Sequence, residues 1–144
     1  MAMGLSDKER AFVEQHRSAA MITVGKDGFA KPARVGVALI DDKLWSSGTT
    51  SRVRTDRLRR DPRCTLLVFG PQYEWLALET LVHIIDGDDS LEASLRLFRV
   101  MQGRPSGPLS WFGGEYQEDA FLDKMREEQR LIYEFDVVRT YGLH

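Results

Sequence analysis

The sequence predicts a mainly β fold in which six antiparallel strands form a small barrel with helices at its periphery. Two observations predict this fold class. Apolar, partly β-branched runs of strand length recur with short turns between them, as in successive hairpins. A short basic helix interrupts the hairpins after the third strand, and further helical segments follow the fifth. The 144 residues, 42% of them hydrophobic, have the length of one domain with a substantial core.

The elements can be assigned in chain order. The predicted strands are residues 19–24, 29–40, 43–47, 63–69, 74–85 and 131–143. The predicted helices are residues 7–16, 52–60, a segment from 89 or 90 to 101, and 117–129.

Local signals support the boundaries of these elements. Ser6 and Glu9 have the spacing of a capping box at the start of the first helix. Gly28 supplies the positive φ that a hairpin turn requires. Pro32 indicates an edge, a bulge or a strand that starts after it. The segment 103–108, GRPSGP, predicts a loop, and the aromatic residues around Gly113 are expected to pack beneath the barrel, with a lid or a subunit contact as alternatives.

The stretch from residue 44 to residue 69 carries the clearest functional signal. A turn rich in hydroxyl groups precedes the basic helix; its residues are Ser46, Ser47, Gly48, Thr49, Thr50 and Ser51. Ser51 is the predicted cap of the helix, and Arg52 and Arg54 follow at once. A helix start offers unpaired N–H groups and a positive dipole, and arginine adds charge-assisted hydrogen bonds. The sequence therefore predicts a phosphate site here, although a solvated face is the alternative for an arginine run alone.

The charge of the chain is concentrated in this segment. Residues 52–63 contain six arginines and two aspartates, so they carry +4 and the remainder carries −6 within a net charge of −2. A dedicated nucleic-acid binder should be basic overall. A basic island of this kind, without interleaved aromatic residues, instead favours a small anion as the ligand.

Several residues are assigned no chemistry. Cys64, the single cysteine, lies in an apolar run and is predicted to be a buried hydrophobe in a reducing cytosol. Glu79 and His83 share a strand face, where satisfied barrel residues are the more common outcome than an acid–base pair. No signal peptide or membrane span is recognisable, so we expect a soluble, cytoplasmic protein without membrane partners. We assign no catalytic residue and no metal ligand.

The segment SSGTTSRVRTDRLRRDPRCTLLVF resembles the flavin and deazaflavin reductases of the split β-barrel superfamily, which pyridoxamine 5'-phosphate oxidase typifies. The front of the chain (AAMITVGKDGFAKP), the strand with Glu79 and the final VVRTYGL agree with this resemblance. It implies a six-stranded split barrel and a homodimer with two cofactor sites at the subunit interface.

The resemblance also implies roles for particular residues. A basic pair separated by one residue, here Arg52 and Arg54, holds the cofactor phosphate with the hydroxyls of Thr50 and Ser51. The second of the pair is usually lysine in this family, and arginine changes the geometry while keeping the charge. The wider predicted cofactor set adds Thr49, Ser47 and Arg57, the ring contacts Val35, Gly36 and Val37, and Trp75 or Tyr73 from the second subunit. From the sequence alone, Gly36 fits equally well a ring floor and a barrel corner.

The same resemblance suggests a cofactor and a reaction. Short chains with an LRRDPR-type helix are similar to the actinobacterial group that uses the deazaflavin coenzyme F-420, whereas other members bind FMN and a few bind haem or its breakdown products. The leading hypothesis is hydride transfer from reduced coenzyme F-420 to a small electron-poor substrate. An FMN-dependent oxidase of the pyridoxamine-phosphate type and a cofactor-binding protein with little turnover are the alternatives. The oxidase is weakened because no second basic cluster is present for a substrate phosphate.

Overall fold

The computed structural model describes residues 4–142, which form a curled antiparallel sheet with peripheral helices. The strands are β1 (Ser18–Val24), β2 (Ala30–Gly36), β3 (Ala38–Ile40), β4 (Lys43–Thr49), β5 (Arg63–Phe69), β6 (Trp75–Ile85), β7 (Leu109–Trp111), β8 (Gly114–Tyr116) and β9 (Arg130–Gly142). The helices are α1 (Asp7–Gln15), α2 (Val53–Arg60), α3 (Asp88–Gln102) and α4 (Glu118–Glu127). Seven strands form the main sheet in the order β2-β1-β5-β6-β9-β4-β3, and β7 pairs with β8.

The predicted strand over residues 29–40 is wrong as a single element. β2 ends at Gly36, the chain passes through Val37, and β3 begins on the opposite edge of the sheet. The Ser46 hydroxyl of β4 donates to the Gly36 carbonyl at 2.7 Å, so the sheet curls until these two regions meet. The main sheet consequently has seven strands rather than six. Gly36 lies at this corner of the sheet, which is one of the two roles that the sequence allowed for it.

The inward face of the sheet forms the main core. Met21, Leu66, Leu78, Leu131 and Phe135 are fully buried there, as alternate positions of neighbouring strands. Cys64 is buried in the same cluster, and this burial raises the pKa of its thiol to about 12. The predicted burial of Cys64 is confirmed, and a buried thiol that stays protonated is a poor nucleophile.

Helix α1 covers one end of the barrel. The predicted capping box is confirmed, since the Glu9 amide donates to the Ser6 hydroxyl at 3.1 Å and the Ser6 amide donates to the Glu9 carboxylate at 2.9 Å. Val13 of this helix is fully buried in the main core. The start of the chain (residues 1–3) and Leu143, the predicted end of the last strand, lie outside the described residues.

Helix α3 packs on the outer face of β3, β4 and β9. Ala93 and Leu97 of the helix contact Trp45 and Ile132 in a second, smaller core. Within residues 4–142, no helix is long and apolar enough to cross a membrane.

The hairpin β7–β8 was not predicted. Its two turn residues, Phe112 and Gly113, have φ values of 44° and 81°, the left-handed pair that a tight hairpin needs. Trp111 packs edge-on against Phe121 of α4 with ring centroids 5.9 Å apart, so it joins the apolar cluster between the hairpin and α4. Phe112, at the tip, is 85% exposed.

Candidate functional site

Tyr133 of β9 packs against the connection from β4 to α2 on its core side. A Cβ added at Gly48 would lie 2.4 Å from the Tyr133 ring, so only glycine fits at this position. The ring is fully buried, and its hydroxyl lies 2.5 Å from the Thr55 hydroxyl of α2. The small-residue turn before the basic helix therefore accommodates an aromatic side chain as well as supplying hydroxyl groups.

The start of α2 lies one residue later than the sequence suggested. Arg52, not Ser51, occupies the N-cap position, so the prediction of a serine cap is wrong. The Ser51 hydroxyl instead lies 3.3 Å from the Thr49 hydroxyl. No side chain caps the helix, and in the described part of the chain the amides of Val53 and Arg54 have no acceptor. Uncapped N–H groups at a helix start are suited to an anion.

A polar cleft of about 660 Å³ lies beside this helix start and is called the basic cleft below. Its lining residues are Lys31, Pro32 and Ala33 of β2, Thr49, Ser51, Arg52, Val53, Arg54 and Arg57 around the start of α2, and Glu128. Five predicted cofactor residues therefore meet in one cleft: Thr49, Ser51, Arg52, Arg54 and Arg57. Thr50 does not line it, since its hydroxyl donates to the Gln129 carbonyl at 3.3 Å.

In the described residues, the arginines of the basic cleft have no ion-pair partner. Within residues 4–142, neither Arg52 nor Arg54 makes a side-chain hydrogen bond or an ion pair, and the Nε atom of Arg54 is buried without an acceptor. Arg57 makes only a long hydrogen bond to the Thr23 hydroxyl, at 3.4 Å. A buried donor without an acceptor is costly, so an anionic ligand would satisfy a group that the protein leaves open.

The remaining arginines of the segment are engaged by the protein. Arg59 pairs with Asp86 at 2.8 Å, and Arg60 donates to the Val24 carbonyl at 3.0 Å. Arg63 pairs with Asp61 at 2.8 Å, and these hydrogen bonds lower the pKa of Asp61 to about 2.

Among residues 4–142, Glu128 is the one carboxylate that lines the basic cleft. It accepts hydrogen bonds from the Trp111 indole at 2.9 Å and from the Arg130 guanidinium at 2.8 Å. Burial acts to raise the pKa of Glu128, but these hydrogen bonds outweigh it, and the pKa lies below its ordinary value. Because Arg130 neutralises this carboxylate, the positive charge of Arg52 and Arg54 remains available.

The predicted ring contacts lie apart from the basic cleft. The side chains of Val35 and Val37 are buried in the main core, and Gly36 is exposed. The Ser47 hydroxyl is buried and has no hydrogen-bond partner in the described chain. Any contact of Val35 or Val37 with a ring would therefore come from the backbone.

Two further clefts continue from the basic cleft along the outer face of the sheet. The middle cleft, of about 510 Å³, shares Pro32 and Ala33 with the basic cleft and is also lined by Ser18, Ala19, Ala20, Arg34 and Phe69. The aromatic cleft, of about 660 Å³, shares Phe69 with the middle cleft and is lined by Ile22, Thr65, Leu67, Gly70, Tyr73, Glu74, Trp75, Ala77 and Tyr141. Together they form one path from a cationic end to an apolar end.

The sequence did not identify several residues of this path. Lys31, Phe69 and Tyr141 lie on β2, β5 and β9, and folding brings them to clefts that share lining residues. The alternation of Ser18, Ala20 and Ile22 is the signal that could have indicated an outer face open to a ligand.

Glu79 and His83 do not form an acid–base pair. The Glu79 carboxylate accepts a hydrogen bond from Arg139, and His83 lines a separate surface cleft near Trp45. Among residues 4–142, no group of three or more His, Cys, Asp or Glu side chains could hold a metal ion.

Comparisons with known proteins agree with this fold. A family model described as pyridoxamine 5'-phosphate oxidase matches residues 5–140. The conserved hypothetical protein Rv2991 from Mycobacterium tuberculosis is 24% identical with a TM-score of 0.73, covering 98% of this chain and 86% of that one. An F420 reductase is 18% identical with a TM-score of 0.68, covering 95% and 98% of the two chains. The heme storage protein HutZ from Vibrio cholerae is 10% identical with a TM-score of 0.66, covering 99% and 95%. No curated protein matches the chain.

Proposed function

Because the chain belongs to the pyridoxamine 5'-phosphate oxidase family, we propose that it is an oxidoreductase that uses coenzyme F-420. In this proposal, a small electron-poor organic molecule receives hydride from the reduced cofactor. The similarity to an F420 reductase is a fold-level likeness and is consistent with this choice.

The observation that carries the proposal is the path from the basic cleft to the aromatic cleft. Coenzyme F-420 and FMN each combine a flat ring system, a polyol chain and a phosphate. The path offers cations at one end and aromatic side chains at the other, with small residues such as Ala20 and Ala33 between them. A ligand of that composition has a complementary surface along the whole path.

At the cationic end, Arg52 and Arg54 hold the phosphate in this proposal. The open amides of Val53 and Arg54 and the hydroxyls of Thr49 and Ser51 supply further donors. Arg57 and Lys31 add positive charge at the same cleft. The Nε atom of Arg54, buried without an acceptor in the described residues, supports this assignment most directly.

At the apolar end, Trp75 contacts the ring or covers it from a second subunit. Phe69, Trp75 and Tyr141 are 49%, 38% and 50% exposed on one face of the sheet, and Tyr73 beside them is 98% exposed. Side chains of this kind are buried when a second copy covers them, so a homodimer through this face belongs to the proposal. The predicted ring contacts Val35, Gly36, Val37 and Ser47 line none of the three clefts and stay a separate prediction.

The chain itself positions the cofactor and does not supply an acid–base pair. When bound, reduced coenzyme F-420 supplies a hydride, and the protein orients the cofactor and excludes water from it. Glu128, the carboxylate of the basic cleft, is tied to Arg130 and Trp111. In this proposal, solvent or a nearby side chain supplies the proton for the product.

Two alternatives keep specific support. FMN carries the same phosphate and polyol chemistry, so the path does not distinguish it from coenzyme F-420. A cofactor-binding protein with little turnover is favoured because, in residues 4–142, Glu79 binds Arg139 and forms no acid–base pair with His83.

The decisive experiment titrates the purified protein with four ligands: coenzyme F-420, FMN, and the two corresponding compounds without phosphate. Tryptophan fluorescence reports binding, and Trp75→Phe is the control that assigns the quenching to the aromatic cleft. We expect coenzyme F-420 to bind more tightly than its dephosphorylated form by roughly tenfold or more, the value of hydrogen bonds to a charged group. Equal binding of the phosphorylated and dephosphorylated forms would contradict the phosphate site, and tighter binding of FMN would move the FMN alternative to first place.

A second assay separates the enzyme from the binding protein. Reduced coenzyme F-420 is mixed with electron-poor alkenes and its reoxidation is followed by absorbance. Tight binding without reoxidation across such a series would support the binding protein.

A further inference from the structure

A chain of buried hydroxyl groups lies directly beneath the turn that lines the basic cleft. Tyr133 and Thr55 are both fully buried, and their oxygen atoms are 2.5 Å apart. The Thr55 hydroxyl also lies 2.8 Å from the carbonyl oxygen of Thr49, to which it donates. The chain therefore connects β9 in the core, through α2, to the last residue of β4.

The direction of the hydrogen bonds follows from the chemistry of the groups. The Thr49 carbonyl can only accept, so Thr55 uses its single proton there. Tyr133 must then donate its own proton to the Thr55 oxygen. The same Thr49 carbonyl accepts from the backbone N–H of Arg52 at 3.2 Å. One carbonyl thus joins the buried chain to the N-cap residue of α2.

We propose that Thr55 and Tyr133 are positioning residues that hold the turn at Thr49–Arg52 in the geometry that receives a phosphate. This inference rests on the proposed function of the basic cleft and extends it to two residues that do not line the cleft. With the Thr49 carbonyl fixed, the side chains of Thr49 and Ser51 and the Arg52 backbone are held on the cleft side. Preorganised donors of this kind bind an anion without first ordering a loop.

Packing alone does not require these hydroxyls. Valine has nearly the volume of threonine, and phenylalanine differs from tyrosine by the hydroxyl only, so an apolar pair would fill the same space. The Tyr133 ring packs closely against Gly48, and this contact holds the ring in place. The two hydroxyl groups, rather than the volume of the side chains, are therefore what fixes the turn at Thr49–Arg52.

The test compares Thr55→Val with Thr55→Ser, which keeps the hydroxyl, and with Tyr133→Phe. Each variant is titrated with FMN and riboflavin and with coenzyme F-420 and its dephosphorylated form. We expect Thr55→Val to weaken binding of the phosphorylated ligands about three- to tenfold, the value of one hydrogen bond, with little change for the dephosphorylated ones. Thr55→Ser should restore the preference, and Tyr133→Phe should lower it less. An equal loss for both forms of each ligand would mean a structural role only and would overturn the inference.

A ligand-independent readout separates this inference from the proposed function. Amide hydrogen exchange at Arg52 is measured in the wild type and in Thr55→Val, because its amide shares the Thr49 carbonyl with the Thr55 hydroxyl. We expect faster exchange in Thr55→Val and wild-type exchange in Thr55→Ser. Unchanged exchange in Thr55→Val overturns the inference whatever the ligand does. Faster exchange in a protein that has no preference for phosphorylated ligands would support the positioning of the turn while contradicting the proposed function.

Discussion

The arginine-rich segment divides into two halves that differ in what the protein does with their charge. Arg52 and Arg54 face the basic cleft and, in the described residues, have no side-chain partner. Arg59, Arg60 and Arg63 each bind an oxygen atom of the protein. A run of like charges is therefore not by itself a ligand-binding site. The half without internal partners is the half to which a ligand can bind.

The position of each half along α2 gives the difference an energetic basis. The start of a helix carries a partial positive charge and its end a partial negative charge. Arg59 and Arg60 lie in the last turn, where cations are favourable, whereas Arg52 and Arg54 lie at the uncapped start, where they are not. The protein therefore carries an unfavourable arrangement of charge at the start of α2, and an anion would relieve it.

The largest expected effect is on ligand affinity in Arg54→Ala. We expect this variant to bind the phosphorylated cofactor more weakly by about 1.5–3 kcal/mol, because a charge-assisted hydrogen bond is lost. Its free energy of unfolding without ligand should be unchanged or higher, since the buried Nε without an acceptor is removed. Arg52→Ala should act in the same direction, with a smaller loss because Arg52 is exposed. Fluorescence titration and chemical denaturation measure the two quantities, and unchanged affinity in both variants would remove the phosphate assignment.

The matched control in the second half is Arg59→Ala, which should show the reverse pattern. The pair between Arg59 and Asp86 is exposed, so we expect a loss of stability below about 1 kcal/mol. Cofactor affinity should stay at the wild-type value, because Arg59 does not line the basic cleft. If Arg59→Ala weakened binding as much as Arg54→Ala, the two halves would not differ and the charge of the whole segment would be the determinant.

The sequence was sufficient for the mainly β fold with peripheral helices and for the placement of basic residues at the start of α2. Both depend on local signals: strand-length apolar runs, turn residues, and basic residues placed at a helix start. The capping box at Ser6 and the stop of α2 before Pro62 are of the same kind and are confirmed. Local patterns determine such features because the interacting residues are neighbours in the chain.

The features that the sequence did not predict depend on contacts between residues that are far apart in the sequence. The break at Val37 arises because the sheet curls and its edges approach. Glycine at position 36 allowed a barrel corner, but no local pattern distinguished that role from a ring floor. Ser51 was the expected cap by residue type, but Arg52 takes that position, and its N–H shares the Thr49 carbonyl with the Thr55 hydroxyl. The ion pairs of the arginines also depend on the fold, since Arg59 binds Asp86, which lies 27 residues later in the chain.

The smallest expected effect lies at the end of the engaged half, in Arg63→Ala. The side chain of Arg63 lowers the pKa of Asp61 to about 2 from its ordinary value of 3.8, and the Arg63 backbone N–H contributes at 3.2 Å. The variant keeps that backbone hydrogen bond, so the pKa of Asp61 should rise toward 3.8 without reaching it. Titration of the Asp61 carboxyl by NMR measures this shift.

The sign of the accompanying pH dependence follows from the lowered pKa. A carboxyl whose pKa is depressed by folding adds stability above its unfolded pKa of about 4 and loses it as the pH falls through the folded value. Wild type and Arg63→Ala should therefore differ in stability above about pH 4 and converge toward pH 2. Cofactor affinity at neutral pH should be the same in both. A change of affinity in this variant would place Arg63 with Arg52 and Arg54, and an internal partner would then no longer distinguish the two halves of the segment.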